Sequence, residues 1–125
     1  MAELEFSLDS LIKYGEVEKE VEPVKGLKIQ MRTLSEEDKI KAYALIDSTT
    51  DENFLTRMEA FKCPLLSIAI KSINGKIFDN DESKKKLLET LKKTQSYLLD
   101  AIYNEYDKLM MEQIDILKSG LKKNN

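Results

Sequence analysis

Residues 61–78 read FKCPLLSIAIKSINGKIF, the most apolar run in a chain otherwise crowded with Lys, Glu and Asp. Pro64 has no N–H and crowds the turn before it, so a helix reaching it either kinks or restarts with Pro64 as its first residue. Beyond it Leu65, Leu66, Ile68, Ala69, Ile70 and Ile73 are apolar on nearly all sides. A helix of that kind is buried, although the isoleucines also permit a strand. Asn74-Gly75 lies between Ile73 and Ile77, and both residues tolerate the positive φ of a two-residue hairpin turn. The stretch predicts a central buried helix over 64–72 that runs into a small hairpin at 73–78. Cys63 sits beside Pro64 in this run and reads as a packing residue.

Upstream, LKIQMRTL alternates: Leu27, Ile29 and Met31 point one way, Lys28, Gln30 and Arg32 the other. That period of two marks a half-buried antiparallel strand, and it predicts a hairpin of 17–22 with 27–32 around PVKG. Ser35-x-x-Asp38 is a capping signature for a helix whose inward face is Ile40, Ala44 and Leu45. Thr49-x-x-Glu52 is a second, opening a helix with Phe54, Leu55, Met58 and Phe61 on one stripe. Nearer the N-terminus, Phe6, Leu8, Leu11 and Ile12 share roughly one face of a short helix. Ser7 or Asp9 would cap it, and Gly15 would end it.

Downstream, Asp79 or Asp81 is expected to cap a helix with Leu87, Leu88 and Leu91 inward. The last helix carries Leu99, Ile102, Tyr106, Leu109 and Gln113 at spacings of three and four, and Leu98, Tyr103, Met110, Ile114 and Leu117 widen that stripe. Gly120 is expected to end it. The predicted fold is mainly α with a small β element: an N-terminal β-hairpin, then a helical bundle with a long C-terminal helix. Residues 1–23 form an arm with a short helix and extended connector, 24–119 a single helical domain with small β-hairpins, and 120–125 a frayed tail.

Composition excludes several function classes. At 125 residues, 42% hydrophobic and 34% charged, the chain suits one domain with a packed core and solvated helix faces. Twenty bases against 23 acids leave a net charge of −3, with no global pull toward nucleic acid or an anionic membrane. Lys62 and Lys71 interrupt the longest apolar run well short of the ~20 residues of a membrane span. The acidic start MAELEFSLDS lacks the basic region of a secretory signal, and a lone cysteine fits a reducing compartment.

Chemistry is sparse as well. The chain has no His, the commonest general base and metal ligand near neutral pH. Its four glycines, Gly15, Gly26, Gly75 and Gly120, are too far apart to cradle a phosphate. In DNDES a calcium loop would want Gly where Lys84 stands and Glu where Thr90 stands, so capping is the better reading of Asp79, Asp81 and Ser83. Lys84, Lys85, Lys86, Lys92 and Lys93 have acids close by and no interleaved aromatic, which reads as a solvated helix face. No catalytic, cofactor-binding or metal-ligating residue is assigned, and the expectation is a non-enzymatic protein. Tyr97, Tyr103, Tyr106, Met110 and Met111 stand out on the last helix: aromatic and Met side chains suit an adaptable protein-binding surface, and equally the completion of the domain's own core.

The order of these features resembles the small tail assembly proteins of long-tailed bacteriophages, that is, the tail assembly chaperones and the related baseplate-hub assembly proteins. The resemblance spans about residues 24–117 and rests on short phrases: Arg32, Leu34 and Ser35 after the strand; Ala69, Ile70, Ser72, Ile73, Asn74 and Gly75; and Leu99, Tyr103 or Tyr106, and Leu109. It implies a chaperone that engages the tape measure and tail tube proteins in the host cytoplasm. The alternative it implies is a permanent subunit of the baseplate or tail, retained in the virion as a homo-oligomer. Neither role needs a cofactor, nucleic acid or membrane. The N-terminal SLDSLIKYG has no counterpart in that pattern; it is a docking element, a self-contact or a cap.

Overall fold

The computed structural model describes residues 7–46 and 53–122. Its elements run α1 (Leu8–Lys13), β1 (Glu18–Val24), β2 (Leu27–Arg32), α2 (Glu36–Ala44), α3 (Phe54–Ala69), β3 (Ile70–Ile73), β4 (Lys76–Ile77), α4 (Asp81–Lys93) and α5 (Ser96–Lys122). The four strands make one antiparallel sheet in the order β1-β2-β3-β4. This is the mainly helical fold with an N-terminal hairpin and a long last helix that the sequence leads one to expect.

The first hairpin closes through Lys25-Gly26, where Gly26 takes a φ of +89° that a β-carbon would oppose. Its register slips by one residue between Val21 and Val24, so Pro23 sits at a bulge on the edge strand, where its missing N–H breaks no ladder. Asn74 (φ 47°) and Gly75 (φ 85°) form the second turn with both residues left-handed. Asn74 also docks that turn on β2: its N–H donates to the Lys28 carbonyl at 2.7 Å, and its Oδ1 accepts from the Lys28 N–H at 2.7 Å.

One face of the sheet is apolar through Val21, Ile29 and Met31, and α5 lies against β1 and β2 on that side. Leu99, Ile102, Tyr106 and Leu109 of α5 join Leu65, Leu66, Ala69 and Ile70 in a single core with Leu87 and Leu91. Thr33 ties the ends together. Its N–H donates to the Val17 carbonyl, and its Oγ1 accepts from the Val17 N–H at 3.1 Å and Gln113 Nε2 at 3.2 Å. Gln113 thus occupies the apolar stripe for a reason: it satisfies a buried hydroxyl.

Several local expectations are corrected. The central helix is neither 64–72 nor broken at Pro64: α3 runs from Phe54 through Pro64 to Ala69, and Ile70 already belongs to β3. A mid-helix proline costs about 3 kcal/mol. Here Pro64 is fully buried, and the apolar area it removes from water works against that cost. Helix α2 turns Ala42 inward, while Ile40, Ala44 and Leu45 are exposed. Asp38 ties that rotation to the end of β2: it accepts from Arg32 Nη1 at 2.8 Å, and Ala42, one turn further along that face, joins the core. The cap of α4 is Asn80, not Asp79 or Asp81; its side chain accepts from the Ser83 N–H, and Ser83 returns the bond to the Asn80 N–H. Helix α5 continues past Gly120 to Lys122. At α3 the Asn53 side chain accepts from the Thr56 N–H at 3.4 Å, whereas the Thr49 and Glu52 signature lies outside the described residues.

No loop separates α3 from β3, so the last helical carbonyls need a partner other than the next turn. Lys84 supplies it: Nζ donates to the carbonyls of Ile68 at 3.3 Å and Ile70 at 2.5 Å. Burial, reinforced by the nearby charges of Arg32 and Lys71, pushes the Lys84 ammonium down to about 8 from an ordinary 10.5. Lys84→Met is expected to cost about 2 kcal/mol by leaving those carbonyls unbonded. The pH dependence has a defined sign. Between about 8 and 10.5 the unfolded chain binds the extra proton, so the Lys84 contribution to stability rises with pH across that window and fades as pH falls through 8. Denaturant titrations of both proteins at pH 8 and pH 10 would show the wild-type advantage growing at the higher value. Tyr106, pushed up to about 12 by burial, and Cys63, raised by burial, oppose this trend equally in both proteins and cancel in the difference.

Candidate interaction surface

The aromatic and Met residues of α5 divide. Tyr106, only 4% exposed, belongs to the core, and Met110 packs against that core. Tyr103 is half-buried, its ring 6.1 Å from Tyr106 and 5.7 Å below Lys62 Nζ. Tyr97 is 90% exposed and Met111 is exposed too. At 1.5 Å rise per residue these two stand about 21 Å apart. The exposed positions between them on that flank, Asn104 and Lys108, are polar. The five residues are therefore not gathered into one apolar surface.

The concentrated exposed apolar surface lies on α1 instead. Ser7 caps this helix in a reciprocal capping box with Ser10. Leu8, Leu11 and Ile12 are 83%, 60% and 71% exposed at helical spacing, and no residue of α1 is buried. A six-residue helix does not persist by itself in water. What positions this one is its C-terminal junction with the end of α5. Gly15 (φ +80°) lies so close to Leu117 that a β-carbon there would fall 2.9 Å from Leu117 Cδ2. The Tyr14 hydroxyl occupies the space where a β-carbon on Gly120 would come within 2.6 Å. Gly120 is thus a contact residue inside α5 and not its stop. The junction fixes the root of the arm and leaves the apolar triad facing solvent.

A second apolar area covers the α2–α3 pair. Ile40 and Tyr43 are exposed one turn apart on α2, and Met58 is exposed one turn before Phe61 on α3. The Tyr43 and Phe61 rings stack at 4.4 Å, which holds the two helices together at that point.

Ionisable groups near these surfaces are in ordinary surface roles. Lys62 bridges Asp100 at 2.9 Å and Glu59 at 3.0 Å, and those bonds raise its ammonium further. Burial alone would raise the Asp38 carboxyl, yet bonds from Arg32 and Ser35 outweigh it and hold it below its usual value. Burial pushes the Cys63 thiol up, away from the thiolate a nucleophile needs. Among the described residues no group of three His, Cys, Asp or Glu side chains is placed to hold a metal ion, and no helix is long and apolar enough to cross a membrane.

The residues of the family-like phrases are mostly structural. Arg32 and Ser35 order the β2–α2 corner, Ile70 fills the core, Asn74-Gly75 turns the chain, and Leu99, Tyr106 and Leu109 pack inward. Missing from the sequence-level site were Leu8, Leu11 and Ile12. Their signal was present as an apolar triad on a helix too short to stand alone, followed by glycine. No family model matches the chain, and no match was found among curated proteins or among solved structures.

Proposed function

We propose that this chain is a tail assembly chaperone of a long-tailed bacteriophage, a non-enzymatic protein that binds the tape measure and tail tube proteins in the host cytoplasm while the tail is built. The observation that carries this reading is the apolar triad of α1, held out by the Tyr14–Gly15 junction and covered by nothing in the described chain. A transient chaperone needs apolar surface kept in solution by surrounding charge. The chain offers that combination: 34% of its residues are charged, and the triad and Ile40, Tyr43 and Met58 are exposed. The phrases at 32–35, 69–75 and 99–109, which resemble the pattern of these assembly proteins in their order along the chain, are what suggests that particular family.

Affinity capture of the tagged chain from phage-producing cells, with mass spectrometry of its partners and of purified virions, tests the proposal. The expected result is recovery of a long helical tape measure protein, with the chain missing from finished particles. Recovery of the chain in stoichiometric amounts inside virions would instead assign it to the baseplate or tail as a permanent subunit.

A further inference from the structure

The two edges of the sheet are built differently. The β1 edge is guarded by Glu18, Lys19, Glu20 and Glu22 and by the bulge at Pro23, devices that discourage another strand from pairing. At the other edge, β4 is short and carries Ile77 at 63% exposed. Its register fixes which backbone groups are free. Ile73↔Lys76 flank the two-residue turn, and the Phe78 N–H donates to the Lys71 carbonyl at 2.9 Å. Bonded and non-bonded pairs alternate in an antiparallel ladder, so Ser72↔Ile77 is the non-bonded pair. The N–H and C=O of Ile77 therefore point outward, away from β3.

Beside that edge is a groove of about 190 Å³ lined by Ile73, Lys76, Phe78, Lys86, Leu87 and Thr90. Pockets for whole cofactors or drug-sized ligands run to roughly 300–1,000 Å³, so this one has room for a single large side chain. Its floor is apolar, and no acidic side chain lines it. Thr90 Oγ1 donates to the Lys86 carbonyl and is already engaged. The two ammonium groups at the rim have no ion-pair partner among the described residues; Lys76 Nζ rests 5.9 Å from the Phe78 ring centre. The groove thus unites a free backbone pair, an apolar recess and two ammonium groups without an ion-pair partner among the described residues.

We infer that the β4 edge is a docking site for an extended acidic segment of a partner protein. The segment adds as a strand beside Ile77, and its residue next to the Ile77 pairing position seats an aliphatic or aromatic side chain against Phe78 and Leu87. Its carboxylates meet Lys76 and Lys86. Backbone pairing supplies affinity, and the recess with its charged rim supplies selectivity, the division of labour seen wherever a peptide extends a sheet. Charge complementarity identifies the occupant: a basic or polyanionic nucleic-acid partner would lack either the sign or the apolar anchor that the groove requires. The inference concerns a surface remote from α1 in the chain and holds whichever assembly the protein serves.

The test is an amide-resolved NMR titration of the full chain with a short blocked peptide of alternating Thr and Glu carrying one central Leu. The amides of Ile77, Phe78 and Leu87 are expected to shift together, and Ile77 to gain protection from hydrogen exchange. Replacing the peptide's Leu by Ala, or introducing Lys76→Glu with Lys86→Glu into the protein, is expected to weaken binding by roughly tenfold or more. Both lysines are exposed, so unchanged amide positions in the core of the variant confirm that it is folded. Absence of any Ile77 shift at millimolar peptide overturns the inference, as does equal binding of a peptide with Lys in place of Glu. Concentration-dependent Ile77 shifts without peptide would assign the edge to a second copy and overturn it too.

Discussion

Leu66→Asp is expected to abolish the cooperative thermal transition of this protein. Leu66 has no exposed surface and lies in the last turn of α3, packed within the single core. Substitution removes an apolar side chain worth roughly 1.5–3 kcal/mol of burial and leaves a carboxyl in its place. An unpaired polar or charged group in such a site adds several kcal/mol more. Together the loss exceeds ~3 kcal/mol, a large share of the roughly 5–15 kcal/mol that holds an ordinary domain together. Ile70→Asp should behave the same way, because Ile70 is equally buried at the first position of β3. Leu66→Met conserves shape and polarity and should cost less than about 1.5 kcal/mol, which separates the effect of charge from that of any change at the site. Circular dichroism melts of the three variants provide the check. A sharp native-like transition in Leu66→Asp would mean that the residue is not buried.

The parts of this fold that are legible in sequence are those where a local rule and the tertiary context agree. LKIQMR alternates because one side of β2 faces the core and the other faces water. Asn74-Gly75 turns because both positions need positive φ, and Ser35 caps because Asp38 reciprocates. Leu87, Leu88 and Leu91 point inward from α4 as their spacing demands. Disagreement arises where a contact distant in sequence decides. Nothing within α2 reveals that Arg32 will grip Asp38 and that Ala42, not Ile40, will face the core. Nothing within IAIKSI marks Ile70 as the switch from helix to strand; Lys84, fourteen residues on, makes that abrupt change affordable by bonding the carbonyls of Ile68 and Ile70. Gly120 reads as a helix stop locally, but Tyr14 needs its missing side chain.

The candidate surface followed the same logic. Tyr97, Tyr103, Tyr106, Met110 and Met111 read as binding residues because aromatic and Met side chains suit both interfaces and cores, and composition alone does not separate the two. Packing does: Tyr106 and Met110 join the core, while Tyr97 and Met111 stay outside it. The exposure of the α1 triad is visible only once it is clear that no other described element covers it.

That triad carries the second large effect. Leu8→Ser, Leu11→Ser and Ile12→Ser in one chain remove three exposed apolar side chains and leave Ser7, Ser10, Tyr14 and Gly15 in place. Surface changes of this kind usually alter stability by no more than about 0.5 kcal/mol each. If a client buries the triad, its loss removes several kcal/mol of binding, which corresponds to a roughly 100-fold or greater weakening. Separating these two quantities, unchanged folding and lost capture, is what distinguishes a binding surface from a structural one.

The measurement that bears most directly on the central claim is therefore a quantitative capture of the tape measure protein from phage-producing cells by wild-type chain and by the triple serine variant, with thermal melts of both run in parallel. The predicted result is a matched melting temperature and loss of the client from the variant alone. Equal recovery of the client by both proteins would contradict the account.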